Sequence, residues 1–590
     1  MRNNRASFYA DGLRNFLSAT LSVIVCLLIF KGLAYTVPGT EPLSGLADEG
    51  NLMLTAEPSF ERIALNRVTF GARDVDEAYV QSIGWDAYVQ DQLNPPDGDD
   101  DALAAHLAAQ TMHIDYRGEE NEFGGWPDVD EDRPLNYLDA DTETLFDVAV
   151  NAGKTVPFAE GARIQQELTA ASWIRAVHAE YQIREFMADF WHNHFNIGRQ
   201  DNNFATVTLP VYDREHIRPY VLGNFREMLE ANATSTAMLL YLDNAVSVAT
   251  FPNENYGREL MELHTMGEDA YLGLDNTDVA GPNGLGINVG VNAAGFTDVD
   301  VFEASIALSG WTVEFGQPTG PGGKRAPVTG NFFYSAAQHS PDAGEFMGVT
   351  LAGIDEPMEQ GRAVLDIVAA HPATAEFICG KLVRRIFGDT PPAAVQTRAV
   401  EAWTEHKDAP DQIKKVMEAI LLDGPEIGEG PQTKVRRPFE RLMALYRTTD
   451  TVVNAHPWMN IVLESLHDGL FTWPAPNGRP DVNGYWFSTT ASLTTWNLSI
   501  GLFFLEELAT SFTAQTPLNI QNSSIEMVEY WLGRMIGFEP SAAVVNTLID
   551  DASSLAGIMT SLNFGSAKNV EDAFMRLASL ISTTEEFSFR

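Results

Sequence analysis

The sequence predicts a mainly α fold: a large multi-helix globular domain with a small β-hairpin element and long irregular loops. Three observations lead there. Apolar residues recur at three- and four-residue spacing in many segments, the signature of amphipathic helices. Alternation suited to long strands is scarce. Apolar residues make up 45% and charged residues 20%, which is ordinary globular composition. At 590 residues the chain can bury a large core.

Taken in order, residues 1–35 read as a signal peptide or N-terminal membrane anchor. Arg2, Arg5 and Arg14 precede an apolar stretch, Phe16–Phe30, that is short for a membrane span. Residues 36–56, rich in Pro, Gly and acids, are a linker, and 57–590 are the helical domain, with core motifs over 161–387 and a C-terminal helical part over 388–590. Within it, 75–93 reads as a helix and 112–142 as an irregular acidic loop. A long helix is expected over 161–193, where Ile164, Leu168, Ala171, Ile174, Val177 and Tyr181 share a face. Helical stretches follow at 217–241, interrupted by Gly223, and at 254–266; a Gly/Asn/Asp-rich insertion covers 271–297. The hairpin is expected within 311–350, with Trp311 in the core. From Glu359 helices dominate: 362–370, 373–387, 392–406, 410–422, 436–448, 492–510, 525–536, 540–562 and 569–581.

Formal net charge is −43, from 81 acidic and 38 basic residues. So negative a surface repels the phosphate backbone, which argues against a nucleic-acid partner, and it disfavours anionic membrane surfaces. Membrane contact is expected only through the N-terminal segment, if uncleaved. The two cysteines are Cys26, in the leader, and Cys379, so a Cys-ligated metal site is excluded. No P-loop, nucleophile elbow or dinucleotide glycine pattern is present.

Two segments can carry chemistry. In the first, Phe190-Trp191-His192-Asn193-His194-Phe195, the preceding helix places Glu185, Asp189 and His192 at i, i+4 and i+7 on one stripe. Asp189 and His192 form an acid-x-x-His pair, which can set two metal ligands on one turn. His194 is about 200° round from His192 and joins that site only if the helix ends or unwinds there. The second segment runs from Pro252 to His264. Glu254 suits the helix dipole, Glu259 and Glu262 share a face, and Arg258 can reach Glu254 and Glu262. One reading is a metal site of Glu185, Asp189, His192, His194, Glu254, Glu259 and Glu262, supported by Asn193, Asp243, Asn253, Arg258, His264 and His339. Such ligands suit iron, manganese or zinc, which could activate water or oxygen. The competing reading is a buried ion-pair network centred on Arg258. Asp243 by default caps a turn, and His339 makes a loop contact.

With these segments in view the chain resembles the bacterial family catalogued as domain of unknown function 1800. The resemblance rests on FWHNHF at 190–195, GNFREML at 223–229, MLLYLDNA at 238–245, PNENYGRELMEL at 252–263, FTDVDVFEASIALSGWTV at 296–313, HPATAEFICGKLVRRIF at 371–387, KVRRPFERLMALYR at 434–447, the Pro/Gly/Trp-containing stretch at 473–496 and SLISTTEEF at 579–587. It implies a large, mainly helical, often exported bacterial protein. It also implies a partner, an exported protein of the family numbered 1501. It implies no reaction. The chain departs from the family in the insertion at 274–295 and in the loosely kept PAPNGRPDVNGYWF. The functional expectation is therefore an exported protein, periplasmic or extracellular, or anchored through residues 16–30. A metal-dependent enzyme with a His/carboxylate site between helices is one reading. The alternatives are a non-enzymatic envelope binding or assembly protein, and a carbohydrate-binding protein whose cleft Asn193, Asn203, Asn224, Asn244 and Asn253 would line.

Overall fold

Helix α1 (Phe60–Val68) starts at Ser59, whose hydroxyl accepts a hydrogen bond from the Arg62 amide at 3.0 Å. The computed structural model describes residues 54–55, 57–198, 204–273, 295–317, 324–487, 495–496, 511–521, 523–561 and 567–590. The leader and linker expected up to residue 53, most of the insertion and nearly all of the helix expected at 492–510 lie outside them. The class is mainly α, with small antiparallel strand pairs.

The single helix expected over 161–193 is two, α2 (Phe158–His178) and α3 (Gln182–His194). Ala179 turns extended, and side chains from both flanks satisfy the interrupted backbone. The Gln182 amide donates to the Ala176 and Ala179 carbonyls at 3.2 and 2.9 Å, and Asp100 accepts from the Glu180 amide at 3.1 Å. The apolar face read from sequence is nonetheless buried: Ile164, Leu168, Ala171, Ile174 and Val177 all lie in the core. The helix expected over 75–93 is likewise split, at Gly84, whose φ of +87° suits glycine.

Residues 112–142, expected to be irregular, contain an antiparallel hairpin, β1 (Thr111–Tyr116) with β2 (Val129–Pro134). β1 alternates, with Met112 and Ile114 buried, but β2 is largely charged and exposed, so only one short strand of the pair carries an apolar alternation. The expected hairpin is present as β3 (Trp311–Phe315) and β4 (Val328–Tyr334), with a register shift between Val313 and Phe315. Trp311 is fully buried.

Four further helices position the site: α4 (Glu254–Glu259), α5 (Asp298–Ala307), α6 (Pro372–Phe387) and α7 (Pro438–Thr448). Every residue of α7 is buried, as befits a helix enclosed on all sides. Its Ala444 and Leu445 join the C-terminal core of Trp531, Phe574 and Phe587, while Phe439, Leu442 and Met443 pack with Trp173 of α2.

Charge, too, is enclosed here. Asp189 of α3 accepts hydrogen bonds from Arg479 at 2.8 Å, Arg385 of α6 at 3.0 Å and Arg437, the residue just before α7. Glu440 of α7 meets Arg385, and Arg590 at 3.2 Å. Asp468 holds the other end of Arg479 at 3.0 Å, and Asp481 holds Lys434 at 2.8 Å. Removing one partner from such a network leaves the others charged and dry. Glu440→Ala is expected to cost about 3–5 kcal/mol. Chemical denaturation of the purified variant measures this; an unchanged midpoint would refute the central role of the pair.

Candidate active site

The stripe predicted on α3 is real. Glu185, Asp189 and His192 line one small cavity of about 40 Å³. Phe70, Phe439, Leu470 and Phe471 supply its apolar wall, and Arg218 and Arg479 face it too.

Each member of the stripe has a distinct partner set. Both Glu185 oxygens accept from Arg218 at 3.0 Å, and Arg184 lies at 3.2 Å. Asp189 is claimed by the three arginines already named. His192 Nε2 lies 2.7 Å from Asp213 Oδ1, while Asp213 Oδ2 accepts from Arg218 Nε at 2.8 Å and has Arg175 at 3.6 Å. Burial pushes the Asp213 carboxyl up, but Arg218, the His192 hydrogen bond and Arg175 outweigh it and hold the group well below the usual carboxylate range. An ionised Asp213 accepts from Nε2–H, which leaves the lone pair of the neutral imidazole on Nδ1. Among the described residues Nδ1 has no protein partner. Asp213 reaches His192 from a π-helical turn, Tyr212–Ile217, a local widening frequent at functional sites.

His194 points elsewhere, as its angle on the helix requires. Its Nε2 donates to the His264 carbonyl at 3.1 Å, and its Nδ1 lies 2.9 Å from Lys381 Nζ of α6. This is where the two signature segments meet. His264 ends a second π-helical turn, Leu260–His264, that continues α4. It is buried, and burial, then the Lys381 charge, push its imidazole down to about 3.

The carboxylates of the second segment stay near the surface. Arg258, one-third exposed, meets Asp298 of α5 at 3.0 Å, Glu262 at 3.4 Å and Glu254 at 3.8 Å. Burial, then the charge of Glu262, push the Glu259 carboxyl up. Arg258 thus makes the local pairs expected of it, but the buried network is centred on Asp189 and Glu440. Asn253 caps α4 by accepting from the Asn255 amide at 3.0 Å, and its amide donates to the Asp243 carbonyl at 3.3 Å. Asp243 adopts a left-handed turn conformation and makes no side-chain cap. His339 Nδ1 contacts the Ser309 carbonyl at 2.9 Å, a loop contact.

The asparagines are spent on backbone. Asn224 donates to the Lys407 and Ala409 carbonyls, both at 2.9 Å, and Asn244 to those of Leu308 and Trp311, both at 3.3 Å. Asn203 lies outside the described residues. Asn193 accepts from the Arg479 amide at 2.7 Å and donates to its carbonyl at 3.0 Å. The 473–479 loop is thereby pressed onto the end of α3: a Cβ at Gly198 would strike the Trp473 carbonyl, and one at Gly478 that of Asn193. Asp213, Arg218, Arg437, Arg479 and Lys381 escaped the sequence reading. The Asn-Gly-Arg-Pro-Asp run at 477–481, an arginine in a turn-forming segment, is the signal that could have found Arg479.

The seven expected metal ligands are divided among the cavity, the His194–His264 contact and the Arg258 surface. Among the described residues no three His, Cys, Asp or Glu side chains are grouped to hold a metal ion. The fold and site define a helical protein built round a buried guanidinium–carboxylate network, with an aspartate-held histidine opening on a cavity. The family model described as protein of unknown function (DUF1800) matches residues 63–587, and the chain belongs to that family. No curated protein and no solved structure matches it.

The buried histidines give acid sensitivity a sign. An unfolded histidine takes a proton below about 6.5, whereas native His264 refuses one until about 3. Between those values the unfolded chain binds more protons, so stability is lost as pH falls from about 6.5. The depressed carboxylates Asp189 and Asp213 withdraw their support only below about 4. The unfolding midpoint is expected to drop already between about pH 6.5 and 4.5, and less so in His264→Gln. Equal slopes for the two proteins would exclude His264 as the source.

Proposed function

We propose that the protein is an enzyme in which His192 acts as a general base in the α3 cavity. The observation that carries this is the asymmetry of His192: Nε2 is fixed by Asp213 at 2.7 Å, and Nδ1 has no protein partner among the described residues. A carboxylate that orients an imidazole also stabilises the imidazolium formed when it takes a proton. Arg218 and Arg175 keep Asp213 ionised for that purpose. The arginines and carboxylates around the cavity neutralise one another, so the free nitrogen of His192 is its reactive feature. The apolar wall of Phe70, Phe439, Leu470 and Phe471 limits water around it. The reaction class supported is proton abstraction from water or a substrate hydroxyl, as in hydrolysis.

We further propose that this chemistry takes place outside the cytoplasm, in the periplasm or beyond. The basic and apolar pattern of residues 1–35 supports that reading. The family resemblance supports an exported partner of the 1501 family.

The test is a panel of chromogenic esters, amides, glycosides and phosphoesters with the full chain. A substrate class that is turned over should lose roughly a hundredfold or more in rate in His192→Gln, and a comparable factor in Asp213→Asn. Circular dichroism should show both variants folded. Turnover undiminished in His192→Gln would sink the proposal.

A further inference from the structure

Lys381 does not share the surroundings of the other described lysines. Lys407, Lys415 and Lys434 each face a carboxylate, Lys414 donates to the Asn94 side chain at 2.6 Å, and Lys154 and Lys324 are exposed. Lys381 has no carboxylate within 4.0 Å among the described residues, in a chain with 81 acidic side chains. Its Nζ instead sits 2.9 Å from His194 Nδ1 and 5.2 Å from the centre of the Phe377 ring.

The imidazole is built to accept. His194 Nε2 is committed as donor to the His264 carbonyl, so Nδ1 carries the lone pair. Burial, then the Lys381 and His264 charges, hold His194 well below the usual imidazole range, so it stays neutral. Other groups facing Lys381 pull in both directions. Asp481, tied to Lys434 at 2.8 Å, favours the ammonium; Arg384 on the same helix opposes it. Burial is the largest influence and lowers the amine to about 8. The residue itself is partly exposed.

We propose that Lys381 is a carbonyl-capturing amine that forms an imine with small aldehydes or ketones, with neutral His194 holding the amine in place through the Nδ1 hydrogen bond and its proton leaving to solvent. The Nζ lone pair attacks the carbonyl carbon, and the C=O π pair moves to oxygen. One proton passes from nitrogen to that oxygen to give the carbinolamine, a second follows through solvent as the C–O bond breaks and water leaves, and the C=N bond remains: amine plus carbonyl gives imine plus water. Desolvated lysines next to cationic or neutral partners are the usual amines for this chemistry. The site is separate from the His192 cavity, so its failure would leave that reading standing.

The test treats the full chain with propanal and sodium cyanoborohydride at pH 7, where the borohydride supplies the hydride that fixes the imine as a secondary amine. Peptide mass spectrometry reads the sites. Lys381 should be alkylated roughly ten times faster than exposed Lys154, Lys324 and Lys407. In His194→Gln, checked for folding by circular dichroism, the Lys381 rate should fall toward theirs while theirs stay unchanged. Labelling that follows exposure alone, or no labelling at Lys381, overturns the proposal.

Discussion

The contact of Asp189 with three guanidiniums is the constraint on which the rest of the structure depends. Arg385, Arg437 and Arg479 come from α6, the position just before α7 and the 473–479 loop, and all converge on one carboxylate of α3. Taking charges out of water is costly, and their mutual attraction repays it only when every member is present in good geometry. Any packing that displaces one of these segments strands a buried charge. The network extends through Glu440 to Arg590, whose guanidinium also donates to the Arg67 and Arg385 carbonyls at 2.7 and 2.9 Å. Segments hundreds of residues apart are therefore fixed by the same few atoms.

That constraint also shapes the cavity. Because Asp189 and Glu185 are saturated by arginines, two of the three polar groups on the α3 stripe have no spare capacity. His192 differs because its partner, Asp213, takes only one of its two nitrogens. Asp213 reaches it from a π-helical turn, and a second such turn presents the His264 carbonyl to His194. Each imidazole of the FWHNHF segment thus has one nitrogen fixed from a widened turn. The second nitrogen of His194 meets Lys381, and that of His192, a residue lining the cavity, has no protein partner among the described residues.

Much of this was legible in the sequence. Helical periodicity placed the apolar faces of α2 and the helices after residue 359, and i, i+4, i+7 spacing brought Glu185, Asp189 and His192 to one cavity. The same geometry put His194 on the other side. What was not legible is long range. Nothing in the spacing near residue 189 tells that arginines at 385, 437 and 479 will neutralise it, because their approach depends on how distant helices pack. The break at Ala179 was hidden for the same reason: Asp100 and Gln182 stabilise it, and only the second is local. The acidic hairpin was missed because β2 buries almost nothing, so the physical signal used to find strands is absent from that strand.

The choice of cation in the core separates architecture from chemistry. Arg62, Arg67, Arg163, Arg184, Arg385 and Arg436 are buried, as are Arg437, Arg441, Arg447, Arg479, Arg534 and Arg590, whereas Lys434 is the one lysine buried to that degree among the described residues. A guanidinium keeps its charge at any working pH and has five donors, so backbone carbonyls can satisfy it where carboxylates are lacking. Arg67 does this with the Ile427 carbonyl at 2.8 Å, and Arg447 with those of Gly71 and Val177 at 3.0 and 2.8 Å. Such charges are permanent and structural. An ammonium can give up its proton, and a protein that uses arginine for its fixed interior charges has no architectural need for a lysine facing an imidazole. At Lys381 the charge is negotiable, because its nearest polar neighbour is a neutral hydrogen-bond acceptor and not an anion. The same distinction sets His192 apart in the cavity: Lys381 can give up a proton and His192 can take one, each held among arginines whose charge is fixed.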